Sequence, residues 1–335
     1  MTADIVVVGA GIAGLSAASA LRAAGREVLV LERSRGVGGR CATRRVQGQP
    51  VDHGVPFVHG SNPDFLALVR AVPARRLEGW PRTVQGEGSP CHPDMFSFGE
   101  QRLAFEEGMT SLPKHLASGL DVQLQSRVVS IAVEDGGVRL SLDDDRQVSA
   151  PTVLVAIPAE QCRALLPDHP QLDTARHMLG WFSTVPCLAM AVGYELERPA
   201  PDFDLIHAGL GGVFTVISHD SAKRAERRFH VLVYQATPQW SRERLDQDLR
   251  AWSAEMLAEA QRMFGDWAGQ PLWTSPQRWV HARVDGGMGL AGPLVVTFDE
   301  GARIGLAGEA YDPRGGLEGA WRSGQRAARR LLGAS

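Results

Sequence analysis

Cysteine is scarce in this chain of 335 residues, which contains four: Cys41, Cys91, Cys162 and Cys187. They are scattered and form no C-x-x-C pair, so the sequence predicts neither a zinc knuckle nor a dithiol redox motif, and no metal site. Scattered thiols are typical of reduced cysteines, and we expect a cytoplasmic protein.

Long apolar runs are missing as well. Residues 5–24 are almost uncharged, but no basic segment precedes them and Gly9, Gly11 and Gly14 interrupt them, so we predict no export signal. No other stretch approaches the roughly 20 apolar residues that span a bilayer.

Charge of one sign is not in excess, because Lys+Arg 35 against Asp+Glu 38 gives a formal net charge of -3. We therefore expect neither a nucleic-acid nor a membrane partner.

The composition is that of a globular protein, with 44% hydrophobic and 22% charged residues. The length predicts two domains, or one core with a large insertion. The 37 glycines predict tight turns and close backbone approaches around a large ligand.

The N-terminal segment predicts a βαβ unit of a parallel sheet. Ile5–Val8 is a β-branched run, Leu15–Ala24 has helical composition, and Val28–Leu31 is a second apolar run. Further strands are predicted at Val128–Val133, Val138–Leu142, Val153–Ile157, Val185–Val192, Val213–Ile217, His230–Gln235 and Arg303–Ala307, and further helices at Arg242–Phe264 and Leu317–Leu332.

The order of these elements predicts two discontinuous domains of an α/β protein. We assign residues 1–72, 120–165 and 285–335 to a Rossmann-type first domain, and residues 73–119 and 166–284 to a mixed α+β second domain.

Gly9-Ala10-Gly11-Ile12-Ala13-Gly14 matches G-x-G-x-x-G, directly after a strand and at the start of a helix. In this motif the first glycine permits the tight turn, the second lets the backbone approach a pyrophosphate, and the third lets helix and strand pack closely. Glu32 follows the second strand, where we expect it to accept hydrogen bonds from an adenosine ribose.

A second glycine-rich loop favours FAD over NAD. Arg33 precedes Arg35-Gly36-Val37-Gly38-Gly39-Arg40, and glycines beside arginines are able to cross a diphosphate. The alternative is a solvated arginine face.

Near the C-terminus, Gly308 and Glu309 follow a strand and precede a helix that begins near Leu317. That helix N-terminus would stabilise negative charge on a reduced flavin, or the helix only seals the sheet.

Several segments together resemble the FAD-dependent amine oxidase superfamily, and its renalase branch most. They are Gly9–Gly14, Ser34–Arg40, Asp52-His53-Gly54, Leu306–Glu309 and Leu317–Gly324, with weaker similarity at Val153–Gln161, Val185–Cys187, Ser221–Lys223 and Arg278–Ala282.

The resemblance implies a p-hydroxybenzoate-hydroxylase-like fold, non-covalent FAD and an oxidase. Renalases oxidise misreduced isomers of NAD(P)H by hydride transfer to flavin N5, with molecular oxygen as acceptor and hydrogen peroxide as product. The implied partners are thus oxygen and a small-molecule substrate, with a reduced nicotinamide nucleotide isomer as the candidate. Stacking and exclusion of water suffice for this transfer, so no catalytic side chain is assigned.

The resemblance also implies site residues. The cofactor set is Gly9, Gly11, Ile12, Ala13, Gly14, Glu32, Arg33, Gly39, Arg40, Pro56, Phe57, Val128, Gly308, Glu309, Leu317 and Ala320. The candidate substrate contacts are His59, Phe96, Phe98, Trp279, His281 and Tyr311, each of which would otherwise be an ordinary core or structural residue.

Some residues depart from the renalase pattern. Val280 stands where that branch has arginine, and Phe57-Val58-His59-Gly60 is similar to a loop of polyamine and monoamine oxidases. Against an amine oxidase, the only lysines are Lys114 and Lys223, neither of them where that branch usually carries its flavin-proximal lysine, and no tyrosine pair is evident. An amine oxidase, a desaturase-like dehydrogenase and a non-catalytic flavoprotein remain alternatives.

Overall fold

The computed structural model describes residues 3–86, 94–287 and 289–333. The chain divides into two compact units. Unit 1 contains Met1–Arg40, Leu112–Thr184 and Arg283–Ser335, and unit 2 contains Cys41–Ser111 and Val185–Ala282. Each unit is therefore assembled from separate stretches of sequence. Cys91 lies outside the described residues.

The helices and strands are numbered in chain order. The strands are β1 (Ile5–Val8), β2 (Val28–Leu31), β3 (Thr43–Val46), β4 (Gln49–Asp52), β5 (Val58–Gly60), β6 (Arg76–Glu78), β7 (Val84–Gly86), β8 (Gln101–Phe105), β9 (Asp121–Gln123), β10 (Val128–Glu134), β11 (Gly137–Leu142), β12 (Gln147–Ala150), β13 (Thr152–Val155), β14 (Thr184–Tyr194), β15 (Leu205–His207), β16 (Phe214–His219), β17 (His230–Ala236), β18 (Trp273–Val284), β19 (Leu294–Thr297) and β20 (Arg303–Leu306). The α-helices are α1 (Ile12–Ala23), α2 (Pro63–Ala71), α3 (Ser111–Leu116), α4 (Ala159–Leu165), α5 (Asp173–Leu179), α6 (Pro238–Arg244), α7 (Leu249–Phe264) and α8 (Gly316–Leu331).

Unit 1 is built on a sheet with the strand order β19-β20-β13-β1-β2-β9. The strands from β20 to β9 run parallel, and β19 pairs antiparallel with β20. In β1 and β13 every residue is buried, as the continuous apolar runs predict for a sheet covered on both faces. With α1 crossing between β1 and β2, this is a Rossmann-type α/β fold. A smaller antiparallel sheet, β10-β11-β12, shares the same hydrophobic core.

Unit 2 is built on a second sheet, with the strand order β18-β14-β17-β16-β15-β7. Tyr194, Tyr234 and Trp252 lie in the core formed by this sheet and α7. The hairpin β3-β4 and the small sheet β5-β8-β6 complete the unit. Val51 of β4 packs against Val231 and Val233 of β17, so the hairpin belongs to this core.

The predicted strands are confirmed to within about two residues, but one predicted helix differs from the structure and several strands, β18 the longest of them, were not predicted. The helix predicted at Arg242–Phe264 is two helices, because the side chain of Asp248 accepts a hydrogen bond from the backbone of Arg250 and starts α7 there. The long strand β18 was not predicted, because Pro276 and polar residues interrupt its pattern. Proline is tolerated there since β18 is an edge strand.

The domain division also differs from the predicted boundaries. The prediction assigned residues 41–72 to the first domain, whereas they lie in unit 2, and residues 112–119 and 166–184 lie in unit 1. The hairpin β3-β4 explains the first difference, because its partners in the core are strands of unit 2. Within the described part of the chain, no helix is both long and apolar enough to cross a bilayer.

Candidate functional site

The first glycine motif forms a tight turn between β1 and α1. Gly9 has a φ of +103°, and a Cβ on it would lie 2.8 Å from the carbonyl oxygen of Ala156. A Cβ on Gly14 would lie 2.0 Å from the carbonyl oxygen of Gly9. Both positions therefore require glycine for the chain's own packing.

Gly11 has no such internal requirement. Its φ is -78°, which any residue adopts, and no atom of the described residues lies within 4 Å of a Cβ built on it. It precedes α1, at whose N-terminus backbone N–H groups and the helix dipole favour an anion. The open space beside Gly11 fits the phosphates of a dinucleotide such as FAD.

Glu32 holds the two glycine-rich loops together. Its carboxylate is buried, and its two oxygens accept hydrogen bonds from the backbone N–H of Ala10 and of Ser34, each at 2.8 Å. The backbone N–H of Gly38 donates to the carbonyl of Ala10 at 2.8 Å, so the second loop lies against the first. Glu32 thus shapes the turn, and its predicted contact with a ribose stays a prediction.

The two ends of unit 1 meet at an ion pair. Nη1 of Arg40 lies 2.5 Å from Oε2 of Glu309, and the other Glu309 oxygen accepts a hydrogen bond from the N–H of Gly316, the first residue of α8. The backbone N–H of Gly308 donates to Oγ of Ser323 on the same helix. The second glycine loop is thereby linked to the start of α8, which supports a cofactor site built from both ends of the chain.

Helix α8 also packs directly on α1. A Cβ on Gly324 would lie 2.2 Å from the carbonyl oxygen of Ala13, and Gln325 donates to Oγ of Ser16. The C-terminal helix is therefore fixed against the helix that follows the first glycine motif.

The predicted cofactor residues divide between the units. Those in unit 1 are Gly9, Gly11, Ile12, Ala13, Gly14, Glu32, Arg33, Gly39, Arg40, Val128, Gly308, Glu309, Leu317 and Ala320, and those in unit 2 are Pro56 and Phe57. Ile12, Ala13 and Ala320 are buried, and Arg33 is exposed. Phe57 is also buried and packs edge-on against Trp80, so the structure gives no support for its predicted cofactor contact.

A parallel aromatic pair lies on unit 2. The rings of His53 and Trp279 are 5.3 Å apart with an interplanar angle of 17°, and Nε1 of Trp279 donates to the carbonyl of His53 at 3.1 Å. Arg44 is beside them on β3 and donates to Ser275 and Gln277 of β18, each at 2.7 Å. Trp279 remains partly exposed. His53 is buried, so Trp279 contributes the exposed ring of this stacked pair.

His59 has a carboxylate partner that the sequence did not predict. Its Nδ1 lies 3.0 Å from Oε2 of Glu100, and the side chains are 13% and 5% exposed. His59 and Glu100 are on or beside the adjacent strands β5 and β8, which are far apart in sequence. A paired imidazole and carboxylate can bind a polar or cationic group.

The other predicted substrate residues lie on separate elements. Phe96 packs against His207 and Arg102, Phe98 is fully exposed, and His281 lies on β18. Tyr311 is in the core of unit 1, where the hydroxyl faces Cys162 and burial raises its pKa well above the usual range. The structure therefore gives no support for a substrate contact by Tyr311.

A buried cluster of four charges, Asp52, Asp220, Lys223 and Arg224, is the site feature that the sequence analysis missed. We call it the ionic quartet. Nζ of Lys223 lies 2.6 Å from Asp52 and 2.7 Å from Asp220, and Nη2 of Arg224 lies 2.8 Å and 2.9 Å from the same carboxylates. Burial by itself would raise the pKa of Asp52, but Lys223 and Arg224 hold it well below its usual range. Removing one member would leave an unpaired buried charge, at a cost of about 3–5 kcal/mol.

The described residues contain no group of three or more His, Cys, Asp and Glu side chains that could hold a metal ion. The Rossmann-type fold and the open glycine turn are typical of a dinucleotide-binding protein. Comparison with known proteins identifies the family. A model described as flavin containing amine oxidoreductase matches residues 89–332, and one described as an NAD(P)-binding Rossmann-like domain matches residues 7–72.

The chain belongs to the flavin-containing amine oxidoreductase family. This membership confirms the predicted flavin cofactor and the predicted class of FAD-dependent oxidoreductase. The renalase branch is not confirmed by the comparisons.

Curated relatives match over short stretches. Putrescine oxidase of Kocuria rosea is 38% identical over 118 residues, which cover 32% of this chain and 24% of that protein. Polyamine oxidase 3 of Oryza sativa subsp. japonica is 46% identical over 59 residues, covering 18% of this chain and 12% of that one. These matches thus span a quarter or less of the relatives' length.

Solved structures match over the whole fold. Wild-type putrescine oxidase bound to putrescine has a TM-score of 0.73 at 16% identity, covering 99% of both chains. Cyclohexylamine oxidase from Brevibacterium oxydans IH-35A has a TM-score of 0.72 at 13% identity, again covering 99% of both chains. At this identity the likeness confirms the fold.

Gly11→Ala and Gly14→Ala are predicted to affect different properties, FAD affinity and fold stability respectively. The Cβ of Gly14→Ala meets a backbone oxygen, so it destabilises the protein by about 1–3 kcal/mol or more. Gly11→Ala meets no protein atom but occupies the space for the phosphates, so it weakens FAD binding by about tenfold, or ~1.4 kcal/mol. Thermal unfolding without FAD and FAD titration separate the effects. Equal thermal stability of the two variants would contradict this assignment.

Glu32→Arg is predicted to weaken FAD retention. The change removes both hydrogen bonds that shape the turn, so we expect FAD affinity to fall by at least about tenfold. Glu27→Arg is the matched control, because it makes the same charge change at an exposed position near the start of β2. FAD titration measures the affinity of both variants. Equal FAD affinity of Glu32→Arg and Glu27→Arg would show that Glu32 does not contribute to the cofactor site.

His53 is predicted to make the protein sensitive to acid. Burial and the nearby charge of Arg44 lower the pKa of His53 to about 4. The unfolded chain protonates this group near pH 6.5. The contribution of neutral His53 to the free energy of unfolding is therefore fully present above pH 6.5, and about 3 kcal/mol of it is lost as the pH falls from 6.5 to 4. His53→Gln should flatten this decline in pH-dependent denaturant unfolding.

His219→Gln provides the comparison for His53→Gln. Burial, with the charges of His230 and Arg227, also lowers the pKa of His219 to about 4. The variant should flatten the same decline while leaving the face formed by His53 and Trp279 intact. An unchanged pH dependence in both variants would show that these imidazoles are not neutral in the fold.

Proposed function

We propose that the protein oxidises dihydropyridine isomers of NAD(P)H, with molecular oxygen as the electron acceptor. The observation that carries the proposal is the partly exposed ring face of Trp279 on unit 2, against which the buried ring of His53 stacks. A flat dihydronicotinamide ring is complementary to such a face, and stacking orients it without a covalent contact. When bound, FAD supplies the acceptor for the substrate hydride and passes the electrons to oxygen.

The aromatic face also matches the charge that develops in this reaction. The neutral dihydropyridine loses a hydride and becomes a pyridinium cation, while oxygen takes up the two electrons, the hydride hydrogen and one solvent proton to give hydrogen peroxide. The ring face of Trp279 attracts a positive charge. His53 is neutral at pH 7, because its pKa is lowered to about 4, so it does not repel the cation.

The lysines and tyrosines support a reaction that needs no assisting side chain. Lys223 is held in the ionic quartet and Lys114 is exposed on α3. Tyr194 and Tyr234 are buried, with their hydroxyl oxygens 3.2 Å apart, and Tyr311 is buried in unit 1. The lysine and the tyrosine pair expected from a resemblance to amine oxidases thus have no counterpart in the described residues.

Amine oxidation is the second candidate. The named activities of the relatives, putrescine oxidase, polyamine oxidase 3 and cyclohexylamine oxidase, favour it. His59 with the buried Glu100 also favours it, since this pair could bind an ammonium group. A cytoplasmic location stays a prediction.

Anaerobic mixing with candidate reductants tests the proposal. We expect 2- or 6-dihydro-NAD(P) to bleach the flavin absorbance rapidly, and putrescine to leave it unchanged. Bleaching by putrescine alone would contradict the proposal and favour amine oxidation. Bleaching by neither reductant would leave a non-catalytic flavoprotein.

Trp279→Ala is predicted to raise KM for 6-dihydro-NAD about two- to tenfold, because stacking contributes about 0.5–1.5 kcal/mol. Trp279→Phe should retain most of the affinity, since it keeps an aromatic face. Trp181→Ala is the control, because Trp181 is 59% exposed and lies in unit 1. Steady-state oxygen uptake measures KM, and an equal KM for all three variants would exclude Trp279 from the substrate site.

A further inference from the structure

The loop of residues 53–57 is held by side chains that bind its carbonyl groups. Trp279 donates to the carbonyl of His53 at 3.1 Å, Gln235 donates to that of Gly54, and Lys223 donates to that of Pro56 at 2.9 Å. The loop lies between β4 and β5 and has no sheet partner of its own in the described residues. Its conformation therefore depends on these side chains.

Lys223 is the charged member of this set, and its three donors meet three acceptors. Its ammonium group contacts Asp52 at 2.6 Å, Asp220 at 2.7 Å and the carbonyl of Pro56, and it lies 5.0 Å from the centre of the Trp80 ring. The side chain has no exposed surface. A lysine ammonium has three N–H donors in a tetrahedral arrangement, so this environment satisfies all of them.

The choice of lysine is informative in this sequence. Of the 35 basic residues only two are lysines, Lys114 and Lys223, and the others are arginines. The planar guanidinium of an arginine spreads its donors in one plane and does not converge on three acceptors around one nitrogen. Arg224, next in the chain, instead bridges the two carboxylates and donates to the carbonyls of Phe105 and Glu106.

We propose that Lys223 is a positioning residue that fixes loop 53–57 through the carbonyl of Pro56, with the other three charges of the quartet neutralising and orienting it. The inference rests on the proposed function, which assigns the ring of Trp279, backed by His53, to the substrate site. By holding Pro56, Lys223 keeps the loop in the conformation in which His53 stacks on Trp279. Lys223 touches neither substrate nor cofactor in this role.

The quartet also explains how the loop tolerates a buried cation. Two carboxylates and two cations give no net charge. Asp52 is further held by hydrogen bonds from Oγ1 of Thr43 at 2.6 Å and the N–H of Met109 at 2.8 Å. Asp52, a partner of the ammonium group, is thus itself held by groups outside the quartet.

A charge-balanced double variant tests the inference. Lys223→Met with Asp220→Asn removes the contact with Pro56 and leaves Asp52 paired with Arg224, so no unpaired charge is buried. We expect amide hydrogen exchange at Gly54, Val55 and Phe57 to speed up at least about tenfold, with exchange in β17 within about twofold of the native protein. KM for 6-dihydro-NAD should rise about tenfold with a smaller change in kcat.

Two further variants make the test specific. Thr43→Val removes a hydrogen bond to Asp52 of the same quartet but none of the hydrogen bonds to the loop carbonyls, so it should leave exchange in the loop unchanged. Lys223→Arg keeps the charge but not the three converging donors, so its loop should exchange as fast as that of the double variant. Loop exchange that stays native in the double variant, or that rises equally in β17, would overturn the inference.

The exchange measurement needs no substrate, so each of the two proposals can be contradicted without the other. A native protein whose flavin is not bleached by any dihydronicotinamide contradicts the proposed function. Loop exchange in the double variant still decides whether Lys223 positions the loop.

Discussion

Backbone contact without intervening side chains is the constraint on which the cofactor site depends. Gly14 lets α1 lie against the turn after β1, and Gly324 lets α8 lie against α1. Each would place a Cβ within 2.2 Å of a carbonyl oxygen if it were alanine. Any larger residue at either position would therefore push the helices apart, and with them the glycine turn and the Glu309 end of unit 1.

In unit 2, side-chain contacts fix the conformation of loop 53–57, which has no regular secondary structure. Side chains from β17, β18 and the segment after β16 bind its carbonyls, and the strongest of these contacts needs a buried charge. A lone buried ammonium would lose its proton or destabilise the fold. The neutral quartet avoids both outcomes, at the expense of burying three more charged groups that depend on one another.

Sequence and structure agree where the information is local. The glycine turn after β1 and the strand that precedes Gly308-Glu309 each occupy a few consecutive residues, and short motifs of this kind can be identified without knowing the fold. Contacts between distant residues could not be predicted in the same way. Asp52 and Lys223 are 171 positions apart, and His59 and Glu100 are 41 apart. Charged residues are exposed in most proteins, so nothing in the pattern around Lys223 indicated burial.

The electrostatic character of unit 2 follows from the same pairing and bears on the chemistry that the fold can support. Oxidation of a neutral dihydropyridine or amine produces a cation, and an unpaired positive charge about 8 Å away would oppose it by ~2 kcal/mol at an effective dielectric constant of about 20. Lys223 and Arg224 exert little such field, because Asp52 and Asp220 neutralise them. His53, closest to Trp279, is uncharged at neutral pH. The arrangement that orders the loop therefore adds little positive field of its own, and Arg44, whose charge lowers the pKa of His53, is the cation that bears on a cationic product there.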